Sequence, residues 1–81
     1  MSQKKTSKEE RFLQKLYHLA EETGDSENEI DRYEVGKLVG ENSKGTDNTV
    51  QMLAKNGFLK RGEESKVYLT SRGVHFAKSL E

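Results

Sequence analysis

The chain has 81 residues, of which 31% are hydrophobic, and 14 lysines and arginines balance 14 acidic residues to a formal net charge of +0. This length allows one small domain with a thin core, and the balanced charge excludes a strongly basic, histone-like nucleic-acid binder. The chain contains no cysteine. Its absence excludes disulfides, a thiol nucleophile and a cysteine-ligated zinc site. Because no long apolar run occurs, we expect a soluble, cytoplasmic protein without a membrane span.

The first predicted element is a helix over residues 8–23, which follows a flexible polar tail over residues 1–7. Ser7 and Glu10 have the spacing of a capping box. The apolar residues that follow recur at three- and four-residue steps, as on one face of a helix. These residues are Phe12, Leu13, Leu16, Tyr17, Leu19 and Ala20. We therefore predict the tail and a single domain over residues 8–81.

A second, short helix is predicted after a polar loop. Ile30 stands alone as an apolar residue and is assigned to a very short strand. Asp31 is the expected N-cap, with Glu34 at capping-box spacing. The apolar stripe of this helix consists of Val35, Leu38 and Val39. Two helical turns do not persist alone in water, so packing against the rest of the domain must stabilise them.

The third predicted helix begins after a tight polar turn, with Asn42 or Ser43 as its N-cap. Its buried face follows from the spacing of Thr46, Val50 and Leu53. Asn56 and Gly57 end it, because both residue types tolerate a left-handed backbone.

Beyond residue 57 the pattern changes to that of two short strands joined by a turn, followed by a last helix. Residues 58–61 and 66–69 have strand character, and Thr70 is placed to cap the final helix. The predicted fold is therefore mostly α with a small β-hairpin, an α+β domain. Its elements run in the order helix, short strand, helix, helix, strand, strand, helix.

Three groups of residues carry a resemblance to a known family. They are Val35-Gly36 with Gly40, Leu53 with Gly57-Phe58-Leu59, and Leu69-Thr70 with Gly73. Through them the chain resembles the compact winged helix-turn-helix transcriptional regulators of bacteria and archaea, over residues 8–80. The resemblance implies that the third helix reads double-stranded DNA and that the hairpin is the wing. Glu41, where the family has an apolar residue, and Gly45, in the first turn of the third helix, depart from the pattern.

The polar face of the third helix is the candidate DNA-reading surface. Asparagine and glutamine can pair with adenine, and lysine can reach guanine acceptors or phosphates. The resemblance places this face in the major groove. The predicted contacts are Ser43, Lys44, Asn48, Thr49, Gln51 and Lys55. Asp47 lies on the same side and opposes tight binding.

The predicted wing adds Lys60, Arg61 and Lys66 as phosphate contacts, although Glu63 and Glu64 at its tip would repel phosphates. Residues 21–34 carry a net charge of −6 and residues 43–62 one of +3. This asymmetry predicts a basic recognition side with an acidic back, which orients a DNA binder of zero net charge.

Neither catalysis nor a cofactor is expected, because no metal-ligand cluster, phosphate loop or activated nucleophile occurs in the sequence. A single small unit contacts few base pairs, so we expect a homodimer. Its predicted interface is formed by the first helix, the last helix, or both. The apolar residues assigned to that interface are Phe12, Leu19, Val74 and Phe76. The alternative function is a winged-helix protein-interaction module that binds a protein partner instead of DNA.

Overall fold

A computed structural model describes residues 7–81 as four helices and a small three-stranded antiparallel sheet. The elements are α1 (Lys8–Glu22), β1 (Ile30–Asp31), α2 (Arg32–Leu38), α3 (Ser43–Lys55), β2 (Leu59–Arg61), β3 (Lys66–Leu69) and α4 (Ser71–Ser79). The α+β class and the order of elements are those predicted. Residues 1–6 of the predicted tail lie outside the described residues, and none of the helices described is long and apolar enough to cross a membrane.

The helices begin where side chains satisfy their first backbone amides. Ser7 and Glu10 form the reciprocal capping box of α1, at 3.1 and 3.0 Å. Ser7 therefore belongs to the α1 cap and not to the tail. Asn42 Oδ1 accepts from the Gly45 amide at 2.8 Å, so α3 begins at Ser43 and includes Gly45 in its first turn. Thr70 caps α4, as predicted.

The sheet joins the hairpin to the residue that stood alone in the sequence. The strand order is β1-β3-β2, and Ile30 pairs with Val67. Because successive side chains of a strand point to opposite faces, the hairpin has two different sides. Its inner side carries Leu59, Val67 and Leu69, all buried, and its outer side carries Lys60, Lys66 and Tyr68.

The core lies where α1 crosses the other helices and the inner side of the sheet. The fully buried apolar residues include Phe12, Leu13, Leu16, Val35, Val50, Leu59 and Val67. On α3, Thr46, Val50 and Leu53 are buried, as the helical spacing predicts. The packing of α3 against this core fixes which of its faces remains exposed.

Two glycines shape the junction between α2 and α3. Gly36 lies against Thr46, and a Cβ at this position would overlap the threonine side chain. Gly40 has a φ of +80°, which favours glycine and lets the chain turn sharply between the two helices.

Two predictions about apolar residues are wrong. Leu38 is 56% exposed, because α2 has only seven residues and buries Val35 and Gly36 against the core. Phe12 is 0% exposed and fills the core, so it offers no surface for a dimer. The other three residues of the predicted interface, Leu19, Val74 and Phe76, are half-buried and pack against the core of their own chain.

Candidate nucleic-acid interface

Four exposed polar side chains form a straight stripe along α3. Lys44, Asn48, Gln51 and Lys55 follow one another at steps of four, three and four residues, so they lie on one face of the helix. This face is opposite the one that carries Thr46, Val50 and Leu53. We call these four residues the α3 stripe. Ser43 is also exposed, at the first turn of the helix.

The predicted exposure of Thr49 is wrong. Only 4% of this residue is exposed, and its hydroxyl donates to Glu41 Oε2 at 3.1 Å. Thr49 lies three residues after Thr46 and four before Leu53, which places it on the core side of the helix. Its side chain therefore holds the turn before α3 and is not available to contact DNA.

Among the predicted contacts of the hairpin, Arg61 is the one that lies beside the α3 stripe. Gln51, Ala54, Lys55 and Arg61 line one open depression at the C-terminal end of α3. Lys60 and Lys66 lie on the outer side of the sheet, because strand residues alternate between the two faces. The sequence analysis treated these three basic residues as one set of phosphate contacts, whereas the structure divides them between the two sides of the hairpin.

Asp47, at the edge of the α3 stripe, is bound by two side chains of α2. The Tyr33 hydroxyl donates to Asp47 Oδ1 at 2.8 Å, and Arg32 Nη1 lies 3.4 Å from the same oxygen. The hydrogen bond to Asp47, followed by desolvation, raises the pKa of Tyr33 above its ordinary value of 10.0. These contacts neutralise part of the negative charge that opposed DNA binding.

Sequence reasoning missed the roles of Arg32 and Tyr33. Their contacts join residues 14 and 15 positions apart, and helical periodicity gives no signal for a pair between two helices. Arg32 Nε also donates to the Ser65 carbonyl at 2.9 Å, so the side chain connects α2, α3 and the hairpin turn. Arg32 thereby fixes the relative positions of the α3 stripe and the hairpin.

The C-terminal part of the acidic segment lies beside the hairpin. The Glu29 carboxylate lies against Gly62 of the hairpin turn, and Asp31 Oδ1 accepts from the Ser65 hydroxyl at 3.0 Å. Both contacts follow from the pairing of β1 with β3, which brings the acidic segment to the sheet edge. The predicted arrangement of a basic front and an acidic back is therefore wrong at the hairpin.

Arg72 is exposed and packs over the Phe58 ring, with its guanidinium carbon 5.1 Å from the ring centre.

Within residues 7–81, no group of three or more histidine, aspartate or glutamate side chains is arranged to hold a metal ion. Comparisons of the chain with protein-family models, with curated proteins and with solved structures gave no match.

Proposed function

We propose that this protein is a winged helix-turn-helix DNA-binding protein that regulates transcription, with α3 in the major groove and the β2–β3 hairpin as the wing. The observation that carries the proposal is the α3 stripe. Its four side chains are exposed on one face of a helix that the core holds in a fixed position. An α-helix fits the major groove of B-DNA, where base pairs present distinct patterns of donors and acceptors.

The chemistry of the α3 stripe suits this groove. Asn48 and Gln51 each carry an amide that donates and accepts, which is the requirement for a bidentate contact with adenine. Lys44 and Lys55 donate only, to guanine acceptors or to phosphates. The eleven residue steps between the two lysines correspond to about 16 Å of helix, the length of roughly five base pairs.

The basic residues of the hairpin would contact the DNA backbone and not the bases. Arg61, beside the C-terminal end of the α3 stripe, is placed to contact a phosphate of the groove that α3 enters. Lys60 and Lys66, on the outer side of the hairpin, would contact a neighbouring backbone. Because the net charge is zero, sequence-independent binding should be weak and oriented by one face of the molecule.

A homodimer belongs to this proposal, since a pair of half-sites gives specificity that one small unit lacks. The proposed interface remains α1 and α4, through the half-buried Leu19, Val74 and Phe76. Sedimentation equilibrium with and without DNA tests this part. A monomer at high concentration, both free and bound, would exclude it.

The experiment that tests the function is an NMR titration of the ¹⁵N-labelled protein with random duplex DNA at about 50 mM salt, where electrostatic binding is strong. Shifts should cluster over residues 43–55 and near Arg61, and should weaken as salt rises. The variant K44A/Q51A should bind at least about tenfold more weakly, by the loss of two base or phosphate contacts. K78A, which removes an exposed lysine of α4, is the matched control and should bind normally.

A second candidate function is a protein-interaction module. It is supported by Glu29 beside the hairpin turn and by the exposed Glu63 and Glu64 within that turn, since these carboxylates would repel phosphates. The same titration separates the two functions. No shift at about 50 mM salt, where phosphate contacts are strongest, would exclude DNA binding and leave the interaction module.

A further inference from the structure

A second basic stripe runs along α1, on residues that are not part of the α3 stripe. Lys8, Arg11, Lys15 and His18 follow one another at steps of three, four and three residues, so they lie on one face of the helix. We call them the α1 stripe. Arg11 and His18 are exposed and Lys15 is half-buried. The proposed function assigns no part to these residues.

The α1 stripe borders a groove with an apolar floor. The groove is lined by Arg11, Gln14, Lys15 and His18 from α1 and by Leu38 and Val39 from the end of α2; we call it the α1–α2 groove. Leu38 is 56% exposed, although it is a large apolar residue. The Arg11 guanidinium donates to the Val39 carbonyl at 3.1 Å, which holds this cation beside the apolar floor.

One edge of the α1–α2 groove already binds a carboxylate of the chain itself. Glu81 Oε2 lies 2.8 Å from His18 Nε2 and accepts from Gln14 Nε2 at 3.2 Å. The polar side chains along this edge are therefore positioned to receive an acidic side chain. Arg11 and Lys15, farther along the same stripe, present two cationic groups in the groove that Leu38 also lines.

We propose that the α1–α2 groove binds an acidic segment of a partner protein, with an apolar side chain of that segment on Leu38 and Val39. Its carboxylates would pair with Arg11 and Lys15. An exposed leucine that lines the same groove as two cations suits a peptide with both acidic and apolar residues. Such a leucine adds nothing to a contact with phosphates. This binding does not use the α3 stripe, but it shares α1 with the proposed dimer interface, because Leu19 lies one turn after Lys15.

A second copy of the chain is a poorer occupant. Its acidic segment, residues 21–34, contains Ile30 as its aliphatic anchor, and Ile30 is paired with Val67 in the sheet. Glu29 of the same segment is packed against Gly62. These contacts hold the segment to its own hairpin, so that neither residue is free to enter the groove of another molecule.

The test uses the full ¹⁵N-labelled chain and a blocked synthetic peptide of the repeating sequence Glu-Glu-Leu-Glu-Asp-Leu. At low salt, amide shifts should concentrate in residues 11–18 and 38–39, with a dissociation constant of roughly 10–100 µM, typical of a small contact. The affinity should fall as salt rises, because the charges are exposed.

Variants identify the groups that bind. K15E should weaken peptide binding by about tenfold or more, since it places a like charge against the peptide, and L38S should weaken it by about threefold to tenfold through loss of apolar contact. K55E, the same charge reversal on α3, should leave peptide affinity unchanged. Circular dichroism checks folding, and K15Q replaces K15E if the reversed charge unfolds the protein.

Four results would overturn the proposal. The first is equal binding by a peptide with serine in place of leucine, and the second is undiminished binding by the K15 variant. The third is a shift of the α1 stripe by duplex DNA but not by the peptide, which would make the stripe a nucleic-acid contact. The fourth is a concentration-dependent shift of the Leu38 and Val39 amides without peptide, which would assign the groove to self-association. Only these α2 amides decide, because the proposed dimer through Leu19 would itself shift amides of α1. Since K15E leaves the α3 stripe intact, its DNA titration reports separately on the proposed function.

Discussion

The α1 stripe and the α3 stripe have nearly the same spacing but different chemistry. Both consist of four exposed or half-buried polar residues at steps of three or four along a helix. The α3 stripe places Asn48 and Gln51 between two lysines, so it can both donate and accept hydrogen bonds. The α1 stripe is entirely basic and borders the exposed Leu38. The spacing defines a face, and the donors, acceptors and apolar neighbours on that face determine which ligand it suits.

The two stripes are linked through the turn between α2 and α3. Glu41 Oε2 accepts from Thr49 of α3 at 3.1 Å, and it lies 3.9 Å from Lys8 Nζ of the α1 stripe. Leu38, in the groove beside α1, belongs to the same short helix that packs on α3 through Gly36. Changes at this junction should therefore affect both surfaces, whereas changes within one stripe should affect one.

The largest expected effect comes from G36A, which alters the packing of α2 on α3, a contact on which both surfaces depend. The new Cβ would overlap the Thr46 side chain, so Thr46 must rotate or α2 and α3 must move apart. We expect a loss of about 2–3 kcal/mol in the free energy of unfolding, as for other overpacked sites, measured by urea denaturation. K37A, at an exposed neighbouring position, should change stability by less than about 0.5 kcal/mol. Equal stability of the two variants would show that α2 and α3 do not depend on this close approach.

The next effect comes from E41M/T49V, which replaces a buried carboxylate and its hydroxyl partner with apolar groups. The Glu41 side chain is 5% exposed, and its Oε1 has no hydrogen-bond partner among the described residues. Removing a poorly compensated buried charge should raise the free energy of unfolding by about 1–2 kcal/mol. E34M, at an exposed acid of α2, is the control and should change little. Destabilisation by the double variant would mean that Glu41 has a compensating contact beyond Thr49 and Lys8.

The helices and their caps were predictable because their signals are local. Ser7 with Glu10 forms a cap within one turn, and Ile30, isolated by its polar neighbours, was correctly assigned to a short strand. The predicted burial of Leu38 was wrong because a seven-residue helix has only about two turns. The spacing of apolar residues over so few turns does not show which of them the core covers. Local pattern therefore determined the elements but not the exposed surface of α2.

The candidate interface was less predictable because its details depend on contacts between elements. The four residues of the α3 stripe were identified from helical spacing. Thr49 was misplaced because threonine suits either face, and its burial follows from the hydroxyl acceptor that Glu41 provides. The contacts of Asp47 with Arg32 and Tyr33 join two helices, and no pattern along either helix reveals such a pair.

The third effect is on DNA binding and separates the groups within the α3 stripe. K55A should weaken binding to all DNA sequences alike and reduce the slope of log affinity against log salt by about 1. N48A should retain the salt slope and lose discrimination at one base pair, worth roughly 1–3 kcal/mol. K15A, on the α1 stripe, should change neither quantity. Salt-dependent fluorescence anisotropy with specific and random duplexes measures both, and a reduced slope for K15A would place DNA on both stripes.

The smallest effect concerns the carboxylate at the edge of the α3 stripe. The hydrogen bond to Asp47 stabilises the protonated form of Tyr33 and raises its pKa above 10.0. The stability that this contact contributes is therefore full below about pH 10 and is lost as the pH rises through the raised pKa. Y33F, which has no such proton, should show less alkaline loss of stability than the natural chain. D47A should return the tyrosinate absorbance titration of Tyr33 toward its ordinary range. An unchanged titration in D47A would mean that Asp47 does not contact Tyr33 in solution. The Asp47 carboxylate would then be exposed to DNA, and it would repel phosphates near the α3 stripe more strongly than the contact with Tyr33 implies.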